Sequence, residues 1–130
     1  IVRGIYGEPK TFLRNVLGSP DNTFCDGLKF HVVTDTSELP IIGRRLSNCV
    51  ASYAESMLKG RCLIATASDA DDYQVCMEIT IAGRDKEGMV SKLNLVQCLG
   101  RYNRRLQGKL LTACHKWTAQ NNVTVACHDI

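Results

Sequence analysis

Cys49, Glu78, Gln97 and Asn103 lie far apart in the chain, and each is a residue type that can do chemistry. Cys49 stands in "LSNCVASY", directly after Ser-Asn. A thiol acts as a nucleophile when it is partly exposed and its pKa is lowered by a cationic neighbour or a helix start. Arg44 and Arg45 are near in sequence, and Glu78 is the candidate partner from elsewhere in the fold. The same cysteine also shares helical spacing with Leu46, Val50, Tyr53 and Met57. That stripe predicts a small apolar filler turned toward the core, and packing is the leading reading of Cys49. Glu78 sits in mid-strand in "YQVCMEITIA", among Val75, Met77, Ile79 and Ile81 on the other face. A carboxylate there is either solvated on an open face or held in a polar cleft as an acid, base or orienting acceptor. Gln97 interrupts an apolar row of Leu93, Leu95 and Leu99, so its amide needs partners: a neighbouring backbone or a ligand.

The stretch "GRYNRR" carries charge. Gly100 permits close backbone approach or a positive φ. Asn103 is placed to cap a following helix. Arg101, Arg104, Arg105 and Lys109 gather positive charge at this turn, and Tyr102 can stack on a base. Gly100, Arg101, Arg104 and Arg105 are therefore the candidate phosphate-binding set, and a solvated helix face is the alternative.

The seven cysteines have no C-x-x-C pair and sit singly in apolar segments. This pattern predicts buried free thiols in a reducing, cytoplasmic protein rather than a disulfide scaffold or a zinc site. Cys114-His115 and Cys127-His128 repeat a pair, but adjacent side chains on a helix or strand point apart, which is poor ligand geometry. No metal and no cofactor is expected. A net charge of +3 permits an acidic partner without requiring one. No segment approaches the length of a membrane span, so no membrane partner is expected. A chain of 130 residues suits one domain, and a start at Ile1 rather than Met suggests a domain excised from a longer protein.

The elements that must position these residues are read from periodicity. Phe12, Leu13, Val16 and Leu17 predict a short first helix ending at Gly18, and "SPDNTFCDG" reads as a turn. "LKFHVVT" reads as a strand. A main helix is expected after Pro40 and Gly43, running to Gly60. Strands are expected at 61–67, 73–82 and 89–99, joined by short connections into an antiparallel meander. A second main helix is expected from Asn103 to Ala119, with "VTVAC" as a last strand. The fold class is α+β: an antiparallel meander with two main α-helices covering one face.

Three pieces in order carry a family resemblance. They are Asn48, Cys49, Val50 and Tyr53 at the first helix; Glu78 on the central strand; and Gln97, Gly100 and Asn103 at the strand-to-helix corner. Over about residues 28–120 this arrangement resembles the PcfJ-like family, a domain of conjugative plasmids and phage. Its members show His/Asn-Cys-Val…Tyr, Thr-x-Glu and Gln-x-x-Gly-x-x-Asn segments. Ala51 stands where the family often has glycine, and Cys76 where it has threonine. The resemblance implies a module of a mobile genetic element, and it implies no particular reaction. Three functions fit these readings. The first is action on a phosphate-bearing partner, nucleic acid or nucleotide, through the basic turn. The second is an enzyme, a nuclease or nucleotide transferase, with a cleft of Cys49, Glu78, Gln97 and Asn103. The third is a protein-interaction domain without catalysis.

Overall fold

The computed structural model describes residues 23–70 and 72–130. The helix expected around Phe12–Leu17 lies outside the described residues. Among them, six strands form one sheet in chain order: β1 (Thr23–Cys25), β2 (Leu28–Val32), β3 (Cys62–Ser68), β4 (Tyr73–Arg84), β5 (Val90–Leu99) and β6 (Val123–Val125). The first five pair antiparallel, so the expected meander of three long strands is present and is extended by a hairpin at one side. Cys25 pairs with Leu28 across Asp26 and Gly27, which both take positive φ, so part of the predicted turn is itself a strand. The sixth strand pairs parallel to β5, because a helix intervenes and returns the chain to the same end of the sheet.

The α-helices among the described residues are α1 (Leu39–Leu46), α2 (Ala54–Leu58) and α3 (Gly108–Gln120). The first of the two main helices, expected between Gly43 and Gly60, is broken and begins earlier, at Leu39. Pro40 lies in the opening turn of α1, where its missing N–H costs nothing, and Gly43 lies inside that helix. The chain then turns at Ser47 and resumes as a 3-10 turn, Val50–Tyr53, leading into α2.

The register sorts the sheet into two chemically different faces. Phe30, Ala67 and Val75 lie opposite one another across β2, β3 and β4, and so do Val32, Ala65, Met77 and Cys98 with β5 added. These side chains are buried, and α3 packs on them: Trp117 stacks on Phe30 with ring centroids 5.2 Å apart and planes 8° apart. The alternate rows point the other way. One runs His31, Thr66, Cys76, Leu99; the next runs Ile64, Glu78, Gln97. Here His31 Nε2 lies 3.1 Å from Glu38, at the start of α1. Adjacent strand residues face opposite sides, so α1 and α3 lie on opposite faces. The expectation that both main helices cover one face is corrected: the polar alternation along β2 and β4 marks a second, mixed face rather than an open one.

Candidate functional site

The loop that carries Cys49 is shaped by the end of α1. Ser47 takes a left-handed conformation, φ 55°, and its N–H donates to the Gly43 carbonyl. The Asn48 N–H donates to the same carbonyl at 3.0 Å. A Cβ on Gly43 would stand 3.1 Å from the Asn48 carbonyl oxygen, so a side chain there would press on the returning chain. Asn48 Oδ1 then accepts the Val50 N–H at 3.0 Å, and Ser52 Oγ donates to the Cys49 carbonyl at 2.8 Å. This closed turn leaves Cys49 outside. Its thiol is exposed, while Leu46, Val50 and Met57 are buried. The packed reading of Cys49 is therefore overturned. The stripe was at helical spacing, but the left-handed Ser47 breaks the helix between Leu46 and Cys49.

Cys49 opens into a cleft of about 160 Å³. Glu78, Gln97 and Asn103 line the same cleft, with Tyr53 beside them and Ile64 and Leu99 contributing apolar wall. The four chemically capable residues singled out in the sequence thus converge. Glu78 and Gln97 are direct cross-strand partners, which puts their side chains next to one another on the mixed face. Immediately beyond Glu78 the β4–β5 register slips, a local irregularity at the cleft wall. Glu78 is half-buried and accepts a hydrogen bond from Tyr53. Burial, and then that bond, raise the Tyr53 pKa above its ordinary value. Deeper in the cleft, burial pushes the Cys76 thiol up to about 12; the Asn48 side chain, hydrogen-bonded to it, acts in the opposite sense, and the Glu78 charge raises it further. Cys62, beyond Glu78, is pushed to about 11 by burial and by the same carboxylate.

Gln97 is exposed at the rim, so its amide is not consumed by a neighbouring backbone. Asn103 does not cap a helix. It lies in a 3-10 turn, Arg101–Asn103, and α3 starts five residues later, after Gln107. Tyr102 and Asn103 both have positive φ, 56° and 57°. Asn tolerates that region, whereas a bulky Tyr pays for it, about 1–3 kcal/mol. The spacing could not reveal this turn, because Asn before a helical pattern reads as a cap.

Gly100 does not take positive φ; it is extended, at φ −90° and ψ −159°. Its role is close approach. A Cβ would meet Leu106 Cδ2 at 3.3 Å and the Gln74 carbonyl at 3.4 Å, and the Gly100 N–H donates to the Arg104 carbonyl at 2.8 Å. Gly100, Arg101, Arg104 and Arg105 line a second, open groove of about 580 Å³ at this corner. Its described lining includes no carboxylate. Arg101 is nevertheless tied, by Nη2 to Asp72 at 2.8 Å and by Nη1 to the Arg45 carbonyl at 3.3 Å. Arg104 lies over the Tyr102 ring, 5.5 Å from its centroid, and Arg105 donates to the His128 carbonyl. The two candidate sets thus line separate pockets, and both draw residues from the same stretch of chain, Leu99 to Arg105.

Among the described residues, no cluster of three or more His, Cys, Asp or Glu side chains is arranged to hold a metal. All seven cysteines are free. No described helix is long and apolar enough to cross a membrane. Comparison with protein-family models, with curated proteins and with solved structures finds no match.

Proposed function

We propose that this domain acts on a phosphate-bearing partner, a nucleic acid or a nucleotide, at the corner from Gly100 to Arg105, as a cytoplasmic module of a phage or plasmid. The observation that carries the reading is the groove in which Arg101, Arg104 and Arg105 meet beside Gly100 without a carboxylate among its described lining. Guanidinium groups match phosphate in planar, two-pronged fashion, and an exposed Tyr beside Arg offers a stacking surface for a base. The PcfJ-like arrangement of Asn48–Tyr53, Glu78 and Gln97–Asn103 supports the mobile-element part, and seven free thiols suit a reducing compartment.

The test is the salt dependence of binding to single- and double-stranded DNA and RNA. Each phosphate neutralised adds close to one to the slope of log affinity against log salt. Wild type should show a slope of about 2–3, and Arg104→Ala with Arg105→Ala should lower it by about 1–2. A slope near zero in the wild type would overturn the reading.

A second reading, an enzyme with a nucleophilic thiol, is favoured by one observation: Cys49 is the exposed thiol of the seven and faces Glu78, Gln97 and Asn103 in one cleft. Nuclease and nucleotide-transferase chemistry both fit such a cleft. A domain that engages only protein would show neither salt-dependent nucleic-acid binding nor a selectively reactive Cys49.

A further inference from the structure

The cleft beside the arginine groove has the wrong lining for phosphate and the right one for a nucleobase. Its described side chains include no Lys or Arg. Gln97 and Asn103 instead present amides, each with a donor and an acceptor, as base edges do. Ile64 and Leu99 supply apolar surface against which a ring can lie. The volume, about 160 Å³, is close to the roughly 150 Å³ at which an engineered protein cavity admits a benzene-sized ring. That suits one six-membered ring, not a large cofactor. One short stretch of chain serves both pockets: Asn103 lines the cleft, while Arg101 and Arg104, on either side of it in sequence, line the groove.

Glu78 narrows the class. It is the carboxylate of the cleft and accepts one hydrogen bond, from Tyr53. An ionised carboxylate has acceptor capacity beyond one bond, and no donating group of its own. The base feature that satisfies it is an exocyclic amino group, and acceptance from the cytosine amino group is the established Glu pairing. We infer that the cleft takes an unpaired cytosine ring, its amino group on Glu78 and its remaining edge on Gln97 and Asn103, while the attached phosphate rests on the arginine groove. This rests on the reading of the Gly100–Arg105 corner as a phosphate site. An unpaired cytosine can come from a single-stranded polymer or from a free nucleotide.

The experiment compares binding of short oligo(dC), oligo(dT) and an abasic deoxyribose-phosphate oligomer of equal length, with dCMP and dTMP as competitors. Oligo(dC) should bind about tenfold more tightly than oligo(dT), and more tightly than the abasic oligomer. Glu78→Gln should remove the dC-over-dT preference and leave abasic binding unchanged; its side-chain carbonyl can still accept from Tyr53. Gln97→Ala, at an exposed position, should weaken dC binding alone and serves if the Glu78 variant does not fold. Oligo(dC), but not the abasic oligomer, should slow thiol labelling at Cys49. Competition by dCMP over dTMP would assign the ligand to a free nucleotide; discrimination among oligomers without dCMP competition would assign it to a polymer. Equal affinity for all three oligomers would overturn the inference and leave the phosphate site standing. Absence of binding to any of them would overturn both.

Discussion

Cys49 and Cys76 share a cleft and differ in what can reach them. Cys49 lies on the outside of the turn closed by Gly43, Asn48 and Ser52. Cys76 is raised to about 12 by burial and the Glu78 charge, and Cys62 to about 11 by the same two causes. The thiolate is the reacting species, so these two stay inert near neutral pH. Cys98 is pushed up still further by its hydrogen bond with Cys114 and by burial. The expected outcome with a thiol-specific reagent is one fast-reacting cysteine per molecule, abolished by Cys49→Ser, with Cys62, Cys76 and Cys98 modified only on unfolding. Mass mapping of the first adduct checks this; a first adduct elsewhere would remove Cys49 from any chemical role. At this scale the sequence was half legible. Residue type singled out Cys49, Glu78 and Gln97, the resemblance to the PcfJ-like arrangement added Asn103, and the fold brings the four into one cleft. The direction in which Cys49 points was not legible, because it depends on one left-handed residue, Ser47, that a helical spacing cannot register.

The element that joins the two candidate pockets is the corner after β5, and it is held in place by Asp72. This carboxylate pairs with Arg101 at 2.8 Å and with Arg45 of α1 at 3.1 Å, so it links the corner to the first helix. The Arg101 hydrogen bond, then the Tyr73 backbone N–H, then Arg45 hold its pKa down to about 2, from an ordinary 3.8. A carboxylate whose folded pKa is depressed contributes stability that is present above its unfolded pKa. That contribution is lost as pH falls through the folded value. The wild type should therefore lose stability between about pH 4 and pH 2, and Asp72→Asn should lose less over that interval; urea midpoints across the range measure the difference. The same substitution releases Arg101, so it should tighten binding of an anionic oligomer while lowering stability at neutral pH. A parallel pH dependence in the two proteins would show that Asp72 does not tie the corner. The long strands around this corner were legible, since Val75, Met77 and Ile79 alternate with Cys76, Glu78 and Thr80 and the register matches. The corner itself was not. Asn103 before a helical pattern reads as a cap, whereas the chain uses two consecutive positive-φ residues and delays α3 to Gly108.

Across the whole molecule, the division into two faces explains how a sheet can carry a polar cleft and still fold. The α3 face takes the apolar rows, so the mixed face is free to hold Thr66, Cys76, Glu78 and Gln97 under α1 and α2. The cost is visible at Thr66, which is fully buried with no hydrogen-bond partner for its hydroxyl among the described residues. Both faces bury large apolar side chains, Leu39, Ile42, Leu46 and Met57 of α1 and α2, and on the α3 face Phe30 and Trp117, which stack at 1% and 2% exposure. Phe30→Ala removes a fully buried aromatic ring between β2 and α3, and is expected to cost about 3–5 kcal/mol. Against a total of about 5–15 kcal/mol for a domain, that leaves the chain close to unfolding. Phe30→Leu retains much of the buried volume and should cost markedly less. A double-mutant cycle with Trp117→Leu isolates the ring–ring contribution, expected at about 0.5–1.5 kcal/mol beyond area burial. Denaturant midpoints at constant m-value provide the measurement. If Phe30→Ala cost less than about 1 kcal/mol, the ring would lie outside the principal core.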